Sequence, residues 1–173
     1  MELAPHVVFL CTGNAARSVM AGAMLAAQAE GVKVTTAGTH VIEGQPISWR
    51  TRDAMIEVGV APAAPAHRSR QLREHDLEAD LIVALATEHV GWIRREYPQA
   101  ADRTATLRRL VRDLPHEPGS LSTRVAHLRL ADVQLEPWED VDDPAGGDLD
   151  VFIGCARELL HLVSDLAPRL DIR

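Results

Sequence analysis

Aromatic residues make up only 3% of this 173-residue chain, and just two cysteines occur, Cys11 and Cys155. Two thiols in unlike surroundings do not make a disulfide framework, so the fold has to rest on a buried core and the expected compartment is a reducing, cytoplasmic one. No apolar run approaches the length needed to span a membrane, and the first residues lack the charged, apolar and cleavage-site pattern of a signal peptide. Positive charge is not in excess either. The formal net charge of −7 argues against nucleic acid or an anionic membrane as partner, although Arg68, Arg70 and Arg73 form one local basic cluster. What remains is ordinary globular material, with 46% hydrophobic and 25% charged residues and a length that suits one domain over residues 1–173.

The informative stretch is 6–18, HVVFLCTGNAARS. Its first five residues are apolar, β-branched or aromatic, follow Pro5 and are too few for a helix, so they read as a buried strand with Cys11 at its end. From Ser18 onward Ala21, Met24, Leu25 and Ala29 recur at helical spacing in an alanine-rich segment, with Gly31 as the expected stop. The residues between are then a strand-to-helix turn. Such a turn aims backbone N–H groups and a helix N-terminus at one point, which attracts an anion and favours a thiolate. Arg17 adds a planar fork suited to a tetrahedral oxyanion, and Asn14 tolerates the left-handed backbone that a loop wrapping an anion requires. Cysteine, five residues, arginine and then a hydroxyl residue describe a phosphate cradle with a nucleophile at its base.

CTGNAARS after a short apolar strand resembles the low-molecular-weight protein-tyrosine-phosphatase family, whose members carry Cys-x-Gly-Asn-x-x-Arg-Ser in this place. Four further segments resemble that family in the same order: TTAGT at 35–39, HRSRQL at 67–72, EADLIVAL at 78–85 and VDDPAGG at 141–147. The resemblance implies an α/β fold, a four-stranded parallel sheet of order 2-1-3-4 flanked by helices, with the site at the carboxyl ends of the strands. It implies that Cys11 attacks phosphorus, that Arg17 and the loop residues Thr12, Gly13, Asn14, Ala15, Ala16 and Ser18 bind the phosphoryl oxygens, and that Asp143 is the general acid. It further implies that Thr36 and His67 brace the loop through Asn14, and that neither metal nor cofactor is needed. The expected partners are a phosphorylated protein or small phosphomonoester, with inorganic phosphate or another oxyanion in the loop. Arsenate reduction on the same scaffold, and a phosphate or phosphopeptide sensor without turnover, are the alternatives.

Along the rest of the chain, 32–37 alternates as a second strand, 47–58 reads as a helix stopped by Gly59, and 80–85 is a third, continuously apolar strand. Trp49 lies early in the helix over 47–58 and is expected to pack on the core rather than lean over the site. The segment 61–66 reads as an Ala/Pro linker, Ser69 as the cap of a short helix, and Arg68, Arg70 and Arg73 as solvated charges. Thr87 is expected to cap a helix through Tyr97, ahead of Pro98. A short strand follows over 103–107, and helical pieces broken by Pro115, Pro118 and Gly119 run over 107–130. The loop 136–148 is acidic and turn-rich, and within it Asp143 stands out because Pro144 restricts its backbone. In the last helix, 150–166, Phe152, Cys155, Leu159, Val163 and Leu166 form one apolar stripe, so Cys155 is expected in the core.

Several positions depart from the family pattern. Val19 stands where proline is common, Gly22 where glutamate is common, and Ala16 where some members have a second cysteine. Ala145 and Gly146 follow Asp143-Pro144 where an aromatic is usual, which removes a stacking wall for a phosphotyrosine ring.

Overall fold

The computed structural model describes residues 3–62 and 66–170; half of the expected Ala/Pro linker, 63–65, lies outside them. Strands β1 (His6–Cys11), β2 (Lys33–Gly38), β3 (Leu81–Ala84) and β4 (Thr104–Thr106) form a sheet of order β2-β1-β3-β4. Every neighbouring pair is parallel, with Phe9 set between Thr36 and Val83 in register. The connections between strands carry helices α1 (Arg17–Gln28), α2 (Trp49–Glu57) and α3 (Thr87–Glu96), and α4 (Leu107–Asp113), α5 (Leu121–Ala126) and α6 (Leu149–Leu170) follow β4. Among the described residues no helix is long and apolar enough to cross a membrane.

The two-residue period of a strand explains the layers. Val7, Phe9, Leu81 and Val83 face a large core that includes Met20, Met24 and Leu25 of α1 and Leu159 and Val163 of α6. Val8, Leu10 and Ile82 face a smaller one with Leu72, Leu77 and Ile93, covered by Trp92 and Tyr97. Both faces of β1 are therefore dry, which is why its sequence is continuously apolar rather than alternating. Each fully buried large side chain here contributes roughly 1.5–3 kcal/mol relative to exposure.

The ends of β1 and β2 prepare the site. At Gly38 an added Cβ would lie 2.5 Å from the Thr12 carbonyl oxygen and 3.0 Å from the Asn14 nitrogen, so only glycine lets the loop after β1 pass this closely. Helix α1 ends at Gln28, three residues before Gly31, when its last turn gives way to the turn into β2. Helix α6 runs on to Leu170, past the expected 166, because Arg169 reaches the free carbonyls of Val111 and Leu114 and docks its last turn on α4.

Candidate active site

The loop between β1 and α1 turns on Asn14, the residue with left-handed backbone (φ 51°) anticipated there. Its side-chain orientation is forced. The Arg70 backbone N–H donates to Oδ1 at 3.0 Å, so the amide nitrogen faces the other way and donates to Ser18 Oγ and Thr36 Oγ1, each at 3.0 Å. Ser18 Oγ, already accepting from Asn14, has its own proton left for the Cys11 sulfur at 3.0 Å. A hydroxyl thus points its proton at the thiol, the arrangement that stabilises a thiolate. The Asn14 carbonyl is held by His67 Nε2 at 3.1 Å and by the Ser69 hydroxyl at 2.9 Å.

Other elements brace the same loop. The Thr51 hydroxyl at the start of α2 donates to the Ala15 carbonyl at 3.2 Å, and the amides of Thr39 and His40 donate to the carbonyls of Cys11 and Thr12. Met20 N–H returns to the Ala16 carbonyl as the first turn of α1. At Gly13 an added Cβ would meet nothing within 4 Å, so the loop is open on that side. Thr51 and Ser69, both buried, are functional neighbours that the sequence reading missed, and nothing local in the sequence distinguishes either one.

Arg17 opens α1 and is 3% exposed. One guanidinium nitrogen donates to the Val141 carbonyl at 2.8 Å, and the other lies 3.5 Å from the Asp143 carboxylate. The acidic loop is therefore fastened to the arginine of the anion loop. It is also fastened behind. Glu139, fully buried, pairs with Arg109 of α4 and accepts from Thr106, while Asp140 accepts the Thr87 backbone N–H at 2.7 Å and Val141 N–H reaches the Leu85 carbonyl. Burial pushes the Glu139 carboxyl up, but Arg109, the Glu136 N–H and Thr106 together bring it below the usual carboxylate range. Beyond Val141 the loop is looser. Asp143 is bonded locally, accepting from the Ala145 N–H at 3.0 Å, and behind it lies a cavity of about 200 Å³ lined by Asp142, Asp143, Pro144, Val151, Cys155 and Glu158.

Cys11, Arg17, Asp143 and the loop residues thus come together, and Thr36 and His67 are both bonded to Asn14. Other readings are corrected. Ser69 binds the Asn14 carbonyl instead of capping a helix, because the short helical turn begins later, at Glu74. Arg70 is not a solvated charge: its fork grips the buried Asp76 through two bonds at 2.7 and 2.9 Å. Thr87 is the first residue of α3 and not its cap, since His89 and Asp140 supply the acceptors at that end. Trp49 is half exposed at the start of α2, stacked beneath Arg50, and does not enter the core. Cys155 is buried as expected, and burial pushes its thiol up to about 12, so it is unreactive at neutral pH.

Comparison with known proteins gives a consistent picture. Residues 6–123 match the family model described as low molecular weight phosphotyrosine protein phosphatase. A protein-arginine-phosphatase of Geobacillus stearothermophilus is 31% identical over 168 residues, covering 96% of each chain. Low molecular weight protein-tyrosine phosphatase A of Mycobacterium tuberculosis is 36% identical over 177 residues, covering 95% of this chain and 88% of its own. Among solved structures, the arginine phosphatase from Geobacillus stearothermophilus superposes with a TM-score of 0.73 at 30% identity, over 94% of this chain and 90% of that one.

Proposed function

This chain belongs to the low molecular weight phosphotyrosine protein phosphatase family, a family of cysteine-dependent phosphatases, and from that premise we propose the role of each group in its site. Cys11 thiolate attacks phosphorus. The S–P bond forms as the bond to the leaving oxygen breaks, and Asp143 gives that oxygen its proton. Water, deprotonated by the Asp143 carboxylate, then attacks the phosphocysteine and releases phosphate and thiolate. Arg17 and the amides from Thr12 to Ser18 hold the equatorial oxygens in both steps, as preorganised donors that need no rearrangement while charge moves. The Ser18 hydroxyl, turned toward sulfur by Asn14, stabilises the thiolate as attacker and as leaving group. The observation that carries this reading is the convergence on one loop of a hydroxyl aimed at the Cys11 sulfur, 3.0 Å away, and a carboxylate 3.5 Å from Arg17.

The substrate on this reading is a phosphorylated protein in the cytoplasm, with phosphotyrosine first. A second reading, phosphoarginine, is favoured by a specific observation: Ala145 and Gly146 provide no aromatic wall beside Asp143, and a guanidine leaving group takes a proton to depart as guanidinium but needs no stacking partner. The Geobacillus stearothermophilus relative is named for that activity. Matched phosphotyrosine and phosphoarginine peptides, assayed with wild type and Cys11→Ser, test both. Cys11-dependent release from either peptide supports the mechanism and selects the substrate; release that survives Cys11→Ser overturns it. Arsenate reduction with Cys155 as internal partner is disfavoured, because a thiol pushed up to about 12 does not supply the second sulfur.

A further inference from the structure

The reactive loop has a prop that the mechanism does not use. His89, on the first turn of α3, is 1% exposed and lies against Thr12, the residue after the nucleophile. Its tautomer follows from its neighbours. The Ala86 backbone N–H donates to Nδ1 at 3.1 Å, so Nδ1 is bare and Nε2 carries the hydrogen. That hydrogen has Thr12 Oγ1 before it at 2.9 Å and the Glu88 carboxylate at 3.4 Å. The Thr12 hydroxyl, accepting from His89, sends its own proton to Glu88 at 3.4 Å. The chain of donors runs in one direction, from the Ala86 amide through imidazole and hydroxyl to a carboxylate whose side chain is mostly in solvent.

We propose that His89 is a positioning residue of this phosphatase, orienting Thr12 so that its amide faces the phosphoryl oxygens. The proposal rests on the reading of the loop as the phosphoryl site. Backbone bonds hold the peptides on either side of Thr12, the Cys11 carbonyl accepting from the Thr39 N–H at 2.9 Å and the Thr12 carbonyl from the His40 N–H at 3.0 Å, and His89 alone holds the Thr12 side chain. With all three fixed, the Thr12 amide has no freedom to turn. Releasing the side chain leaves only the two carbonyl bonds, about which the Thr12 amide can tilt, and a small tilt is the scale of misplacement an oxyanion site does not tolerate. Burial, with the charge of Arg17 nearby, pushes His89 down to about 3. The ring therefore stays neutral at working pH and never presents a proton to the Ala86 N–H.

Two substitutions separate propping from helix capping. An asparagine oxygen falls where Nδ1 is and keeps the Ala86 bond but loses Thr12; a glutamine nitrogen falls where Nε2 is and keeps Thr12. Inorganic phosphate affinity by calorimetry, kcat and KM for nitrophenyl phosphate, and melting midpoint are measured for wild type, His89→Asn, His89→Gln and Thr12→Val. Expected are phosphate binding and kcat reduced about tenfold to a hundredfold in His89→Asn, values near wild type in His89→Gln, and no further loss when Thr12→Val is added to His89→Asn. Equal phosphate affinity in all variants, or losses that only track melting midpoint, overturns the proposal. If His89→Asn does not fold, Thr12→Val alone must show the same weakening, and unchanged affinity there overturns it. A wild type that binds phosphate in a His89-dependent way without turnover fails the phosphatase reading and leaves the prop standing; turnover indifferent to His89 does the reverse.

Discussion

The loop from Cys11 to Ser18 and the loop from Glu136 to Asp148 meet at Arg17, yet they are held in different ways. The first is a continuation of β1 into α1, buried for much of its length and braced by β2, α2, α3 and the segment around His67. The second has no strand or long helix of its own. It is clamped at Glu139, Asp140 and Val141, and past that point Asp143 is half exposed, held by the local Ala145 N–H and by its 3.5 Å approach to Arg17. The difference suits the roles proposed for each. A nucleophile and its oxyanion donors gain from a fixed geometry, whereas an acid that serves the leaving group on one step and water on the next works from a loop tethered at one end. Preorganisation is spent where charge develops.

Substitutions can break this contrast from either side. The largest expected effect is Cys11→Ser, which should lower turnover by roughly 10⁴-fold or more while leaving phosphate binding in place; single-turnover assays and calorimetry check it. Next comes Asp143→Asn, expected to slow phosphotyrosine cleavage by roughly 10²- to 10⁴-fold, with a smaller effect on an activated nitrophenyl ester and little effect of Asp142→Asn on either. A leaving-group series with burst kinetics reads it, and equal small losses in both variants would remove the acid role from this loop.

The clamp itself is tested at Arg109. Arg109→Leu strands the buried Glu139 charge, so stability should fall by about 3–5 kcal/mol, and Glu139→Leu in the same chain should restore much of it. At a temperature where the single variant stays folded, kcat for a poor leaving group should fall about tenfold with phosphate affinity unchanged. Phosphate affinity falling together with kcat would mean that the two loops are one mechanical unit.

Acid sensitivity sharpens the contrast through stability. His89 is neutral in the fold down to about 3, whereas an unfolded histidine takes a proton near 6.5. Its contribution is therefore complete above 6.5 and is lost as pH falls, by roughly 2–3 kcal/mol between pH 6.5 and 4.5. His6, also lowered by burial, adds to the same window, while Glu139, held below its ordinary range, acts only at lower pH. Denaturant melts across pH should show this slope, and His89→Gln should flatten most of it. The smallest effect belongs to Cys155→Ala, which should cost ~1–2 kcal/mol and leave phosphatase turnover unchanged; loss of an arsenate-reducing activity in that variant would revive the reductase alternative.

Much of the anion loop was legible because its information is local. An apolar run ending in cysteine, an asparagine placed for left-handed backbone, and an arginine and serine opening an alanine-rich helix all lie within thirteen consecutive residues. The parallel strands were legible for a related reason, since burial on both faces leaves continuous apolar runs such as LIVA at 81–84. The acidic loop was harder. Its carboxylates look alike in sequence, and Glu139 differs from Asp142 chiefly through Arg109, thirty residues upstream, and Thr106.

By itself, then, the sequence determined the strands, the main helices and the place of the anion loop, because periodicity and turn chemistry act over a few residues. The tertiary structure decided which polar groups surround that loop. Thr51, Ser69 and His89 are ordinary residue types until folding brings them to Ala15, Asn14 and Thr12. Burial then decides their effect: removed from water, each must find a partner inside the protein, and the partners within reach are atoms of the loop.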